Sequence, residues 1–211
     1  MEKLDFKKRD KQFYTGRHHK WVRLNVPAMN YLTIEGIGSP DGDVFSRAIA
    51  ALYPIAYGLK FMHKTKTGDF VVPPLEGQWW ADNPDVFMTR EKDKWCWKLG
   101  IRLPVEIPES DVEEIRASAI LKNAKKKEAP TNEATLRLVT FETIQDGDSL
   151  QCLHKGPFED ETEALIELHG SLMPQMGLTF NGHHREIYLS DPRKSAPEKL
   201  KTILRQPVKA V

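Results

Sequence analysis

Twice along the chain, two alternating apolar stretches precede a segment of helical periodicity, and two more alternating stretches follow it. No feature constrains the fold more. Alternation with period two and recurrence at three and four residues demand different elements. In the first half, residues 21–26 and 31–36 read as strands. Gly38-Ser39-Pro40-Asp41-Gly42 reads as a loop, and Asp43 is the expected N-cap of a helix. Val44, Ala48, Leu52, Ile55 and Leu59 recur along that helix, and after it residues 70–72 together with 75–80 read as one strand and 95–101 as another. In the second half, residues 136–143 and 149–154 read as strands. Asp160 or Glu161 opens a helix bearing Ala164, Leu165, Leu168 and Leu172, and residues 184–189 and 201–208 are the closing strands. Each helix carries a proline followed by a glycine, Pro54 with Gly58 and Pro174 with Gly177. Such pairs kink or end a helix.

The expected fold class is therefore α+β, a pseudo-symmetric tandem repeat. Repeat one covers about residues 21–103 and repeat two about 136–209. A connecting helix and charged linker, about 108–133, lie between, and the linker 125–133 is the best boundary in the chain. Residues 1–20 read as a polar, basic arm anchored by one or two of Phe6, Phe13 and Tyr14, ahead of a single domain over 21–211.

Composition narrows the function. With 31 Lys and Arg against 30 Asp and Glu, the net charge is +1. That balance speaks against a chain whose main task is to grip nucleic acid or an anionic membrane. No apolar run approaches the ~20 residues of a membrane span, and the charged N-terminus lacks the apolar core of a signal peptide. Two cysteines, Cys96 and Cys152, make no disulfide framework. A cytoplasmic protein with reduced thiols is the expectation.

Of 5 Trp residues, Trp79, Trp80, Trp95 and Trp97 fall close together. In the repeat comparison, Glu76-Gly77-Gln78-Trp79-Trp80 aligns with Glu186-Ile187-Tyr188-Leu189, each a strand leading to an acidic turn with proline. Strand geometry sets Glu186 and Tyr188 on one face, and Glu76, Gln78 and Trp80 on one face. A carboxylate beside a phenol or indole is a poor core, because a buried charge needs a partner. It suits a pocket for a flat or cationic ligand. The competing reading makes the tryptophans ordinary core and Glu186 a solvated strand residue. His18-His19 and His183-His184 do not read as metal ligands, because neighbours on an extended chain point opposite ways and no cysteine or carboxylate cluster completes a site. His154 is a secondary pocket candidate, and Cys152 with His154 lacks an orienting third group.

These segments, with Pro27-Ala28-Met29-Asn30-Tyr31, Gly36-Ile37-Gly38-Ser39-Pro40, Ala51-Leu52-Tyr53, Gly156-Pro157-Phe158 and Glu186-Ile187-Tyr188-Leu189-Ser190-Asp191-Pro192, resemble the GyrI-like small-molecule-binding family over nearly the whole chain. They are most similar to its stand-alone branch, which includes hydrolases of cyclopropanoid DNA-alkylating compounds. The resemblance implies repeated strand–helix–strand–strand units, with a ligand groove between the repeats, a central Glu and an aromatic cage. It matches the central Glu to Glu186, with Tyr188 orienting it. It implies Trp79, Trp80, Trp97, Tyr53, Glu76, Phe158 and Phe180 as ligand contacts. It implies no cofactor. The ligand would be a small aromatic or cationic molecule, turned over or simply bound and sensed, and a protein partner such as gyrase fits the second alternative. No helix-turn-helix is read ahead of the domain, so direct contact with nucleic acid is not expected.

Overall fold

The structure is a computed structural model that describes residues 3–211; residues 1 and 2 of the expected arm lie outside it. Among the described residues the strands are β1 (Val22–Val26), β2 (Met29–Ile37), β3 (Leu75–Trp80), β4 (Cys96–Leu103), β5 (Thr140–Ile144), β6 (Gly147–Lys155), β7 (Leu178–Phe180), β8 (His184–Tyr188) and β9 (Lys201–Ala210). The fold is mixed α/β, its sheets antiparallel. The chain forms two compact units. One holds residues 3–9, 29–73 and 79–144, and the other holds 10–28, 74–78 and 145–211.

In the first unit, β2 is flanked by β4 and β5, with Tyr31 opposite both Arg102 and Glu142. The long helix Asp43–Lys66 turns Phe45, Ala48, Ala51, Leu52, Ile55, Ala56 and Leu59 inward. Their three-and-four spacing gives the helix one apolar stripe. Leu32, Ile34, Leu99 and Ile101 are buried in β2 and β4, the strands on which this helix packs. Pro54 lies inside this helix, and Gly42 rather than Asp43 occupies the N-cap. Gly58 lets the helix Glu109–Ala124 approach closely. A Cβ at Gly58 would stand 2.5 Å from Ile115 Cγ2.

Three expectations need correction here. Residues 70–72 form no strand; Phe70 makes a single bridge to Leu4, because Pro73 and Pro74 follow and supply no N–H. Residues 136–143 do not begin as a strand. Asn132 caps a short helix, Glu133–Arg137, accepting from Thr135 N–H at 2.8 Å. The linker 125–133 is not a boundary, since its residues stay in the first unit and Asn123 Nδ2 holds Thr131 O at 3.0 Å.

In the second unit the strand order is β1-β6-β9-β8, and β7 pairs with the end of β9. The helical segment begins with Glu161–Glu167 and widens to a π turn over Leu168–Leu172. It resumes at Met173, and Pro174 falls at its restart. Leu150, Leu168, Met173, Leu178 and Val208 form one core cluster; Cys152, Ala164 and Leu204 form another, with Trp21 packed on both. The basic N-terminal segment is anchored by all three aromatics. Phe6 is buried under the Arg102 guanidinium, and Phe13 and Tyr14 are buried as well.

In chain order β1 and β2 precede the long helix and β3 and β4 follow it, whereas β5 and β6 precede the second helical segment and three strands, β7, β8 and β9, follow it. The units do not follow the two halves of the chain. β1, from the first half, edges the second unit beside β6, and β5, from the second half, edges the first unit beside β2.

Candidate functional site

The alternation of β8 decides the roles of its residues. Arg185 and Ile187 point to one face; His184, Glu186 and Tyr188 point to the other. On the first face, Arg185 is buried and holds Glu76 Oε2 at 3.0 Å and Asp146 Oδ1 at 2.9 Å. Arg205 joins from β9, reaching Asp146 Oδ2 at 3.3 Å, Gln151 Oε1 at 2.7 Å and Phe13 O at 2.9 Å. Burial alone would raise the Asp146 carboxyl, but the two guanidiniums outweigh it and hold it below the usual range. Glu76 was expected to line a ligand pocket. It is instead 1% exposed and committed to this internal ion network, because a buried carboxylate is tolerable only when paired.

On the opposite face the arrangement suits chemistry. Tyr188 donates its O–H to Glu186 Oε2 at 2.8 Å. Leu204 stands across from Glu186, and Thr202 across from Tyr188. Phe158 sets its ring edge-on to Tyr188 at 5.8 Å between centroids. His184 Nε2 lies 3.7 Å from Glu186 Oε1. Burial pushes His184 down to about 3, with a further push from His169, so this contact joins a neutral ring to the carboxyl.

Above Glu186 lies a residue that sequence reasoning treated only as a helix start. Glu161 is 3% exposed. Burial raises its carboxyl well above the ordinary range, and the charge of Glu186 raises it further. Its Oε1 has no hydrogen-bond partner among the described residues. Each carboxylate charge disfavours the other, and burial directs the proton to Glu161. The site thus holds a neutral carboxyl, Glu161, beside the partly accessible Glu186, which a phenol orients. Glu159, Asp160 and Glu161 together read as acids compensating a helix N-terminus. Spacing alone does not tell which of them turns inward.

The other candidates separate by unit. Trp79 and Trp97 belong to the first unit and pack on Phe45, at 5.7 and 5.1 Å. Trp95 meets Trp79 edge-on at 6.0 Å. Trp97 is 1% exposed and donates its indole N–H to Gly38 O at 3.2 Å. Trp97 and Trp79 are thus aromatic core, with Trp80 half-buried beside them in sequence. Tyr53 stacks on Tyr57 along the long helix. Phe180 is half-exposed in the second unit, against His169 at 4.9 Å. Cys152 is buried and its thiol is pushed up to about 12, which removes it as a nucleophile.

His18 and His19 were expected to point opposite ways, and they do not. His19 has φ 51°, in the left-handed region, so both rings lie on one side with centroids 3.9 Å apart. His154 joins them.

Residues 24–209 match the model of the GyrI-like small molecule binding domain. The chain is 38% identical to a conserved protein from Listeria innocua of known crystal structure, covering 98% of this chain and 100% of that one, with a TM-score of 0.87. It is equally 38% identical to a protein described as a hydrolase from Listeria innocua, over 98% and 100% of the two chains, with a TM-score of 0.82. The C-terminal domain of EcmrR shares the fold at 14% identity, over 91% of this chain and 98% of that one, with a TM-score of 0.55. None of the curated proteins matches the chain.

Proposed function

This chain belongs to the GyrI-like family of small-molecule-binding domains, and on that premise we propose that it binds flat aromatic compounds against Glu186 and Tyr188 and hydrolyses those with an activated cyclopropane. The observation that carries the reading is the group on the helix-covered face of β8. It unites a carboxyl held neutral by burial, a partly accessible carboxyl and a phenol bonded to it. The likeness to a Listeria innocua protein described as a hydrolase supports it.

The chemistry needs little beyond positioning. In a cyclopropane conjugated to a dienone, water oxygen bonds to the ring CH2 as a ring C–C bond breaks. The electron pair of that bond moves through the dienone to its oxygen, giving a phenolate. One proton leaves the water for Glu186, and one is returned to the phenolate oxygen. Strain relief and aromatisation drive the step. Tyr188 orients Glu186 as the base, and general-base assistance of this kind contributes ~10²–10⁴-fold. A contact from Phe158, whose ring stands edge-on to Tyr188, is part of the proposal.

One observation favours a second reading, a non-catalytic binder of cationic drugs. A carboxyl bonded to Tyr188, whose ring meets Phe158 edge-on, also suits a cation. Incubating a cyclopropanoid with sub-stoichiometric protein separates the two. Many equivalents of ring-opened phenol per protein support hydrolysis. Consumption that stops at one equivalent or none leaves the binder.

A further inference from the structure

The site on β8 does not use His18, His19 and His154. We infer that these three histidines form a binding site for a divalent ion of the zinc class. Their donor nitrogens lie within 4.8 Å of one another. His19 Nε2 and His154 Nδ1 are 3.2 Å apart. Two nitrogens bound to one tetrahedral zinc at ~2.0–2.1 Å stand about 3.3 Å apart, so this pair is already spaced as an ion would hold it.

The tautomers agree with that use. His154 Nε2 lies 3.0 Å from Pro157 O. A carbonyl can only accept, so Nε2 carries the hydrogen and the Nδ1 lone pair faces His19. An N–H held by a backbone carbonyl is the usual outer support of a ligating histidine. Without an ion, His19 Nε2–H donates to His154 Nδ1. With one, His19 shifts its hydrogen to Nδ1 and offers Nε2, and no net proton is taken up or released. His18 Nδ1 accepts Lys155 N–H at 3.2 Å. His18 is exposed and exchanges that contact for the ion, leaving Lys155 N–H to water.

The surroundings suit a cation. The three rings line an open cleft of about 550 Å³ whose wall carries Glu159, Asp160 and Glu163. A water would complete a fourth position, with these carboxylates and Lys155 on the cleft wall around it. The backbone already brings the ligands together, since His19 N–H bonds Leu153 O at 3.0 Å and Leu153 N–H bonds Arg17 O at 3.2 Å. An ion here ties residues 17–20 to the end of β6. Imidazole ligands select zinc, copper and nickel over magnesium and calcium.

The test uses the full chain without an affinity tag, stripped with a chelator and titrated with ZnCl2 by calorimetry at neutral pH. One equivalent should bind with a Kd on the order of micromolar or tighter, and MgCl2 should give no heat of binding. His19→Gln and His154→Gln should each weaken zinc at least tenfold, whereas His183→Gln should leave it unchanged. A second measurement covers the case of unstable variants. In the wild type, zinc should protect residues 18, 19 and 154 from diethylpyrocarbonate, mapped by mass spectrometry, and leave His183 reactive. Absence of stoichiometric binding, unchanged affinity in both folded variants, or no protection at these three positions overturns the assignment.

Discussion

Glu161 and Glu186 face each other beneath the first turn of the helix Glu161–Glu167, and burial makes Glu161 the one that holds the proton. Its folded pKa is raised above the unfolded one. The stability that goes with a neutral Glu161 is therefore complete below the ordinary carboxylate range and is lost as pH rises through the raised value. Glu161→Gln keeps the shape and cannot ionise. Urea midpoints from about pH 4 to about pH 9 should fall less steeply in the variant than in the wild type. Parallel curves would show that Glu161 ionises freely.

Arg185 is the hub of the ion network, with Glu76 and Asp146 both on its guanidinium. Arg185→Met leaves Glu76 buried without its cation and should cost about 3–5 kcal/mol. The double variant Glu76→Gln with Arg185→Met removes both charges and should recover a large part of that loss. Chemical denaturation reads both. A single variant that costs no more than the double would deny the network its role.

Gly36 sits against the Trp97 indole. A Cβ there would stand 2.3 Å from its Cη2 and 2.4 Å from its Cζ2. Trp97 is fully buried and cannot step aside. Gly36→Ala should lower stability by about 1–3 kcal/mol through overpacking. The near-ultraviolet dichroism of the tryptophans should change with it. An unaltered denaturation midpoint would mean that the indole relocates without cost.

Much of this fold is legible in periodicity. The stripe from Ala48 to Leu59 and the alternation of His184 to Tyr188 each mark an element that exists and the face it buries. Pairing is where local pattern fails. Nothing local in Val22–Val26 says that it pairs with Gly147–Lys155 rather than with its neighbour in sequence. The same limit governs the site. Glu186 and Tyr188 can be read from a spacing of two, because a strand fixes their common face. Glu161 reaches them only through the packing of a helix 25 positions earlier in the chain, and His19 joins His154 only because its backbone leaves the extended region. Glu76 and Glu186 look alike in sequence, and a buried arginine separates their roles.

His184 gives a pH dependence of opposite sign to that of Glu161. Its ring is buried neutral, with its pKa pushed down to about 3 from an ordinary 6.5. The unfolded chain therefore binds a proton that the folded one refuses. Stability attributable to His184 is present above the ordinary value and is lost as pH falls from 6.5 toward about 3. One such group contributes at most about 1.4 kcal/mol per pH unit. His184→Phe should flatten the acid limb of the stability curve by that amount. If the acid limb is unchanged, His184 takes up its proton in the folded state.

Glu186 separates enzyme from binder. Glu186→Gln keeps the length of the side chain and an oxygen that can accept from Tyr188, and it loses the basic carboxylate. If Glu186 is the base in ring opening, binding of a neutral flat ligand should stay within about tenfold, roughly 1.4 kcal/mol. Turnover of a cyclopropanoid should fall by ~10²–10⁴. The fall should appear in kcat more than in KM, because the lost interaction is made in the transition state. If the protein binds cations, the same variant should weaken a cationic dye and leave a neutral one unaffected, and the wild type should show no turnover. Turnover that survives intact in Glu186→Gln would remove Glu186 as the base. Glu161 would then become the next carboxyl to test, since Glu76 is held in its ion pair with Arg185.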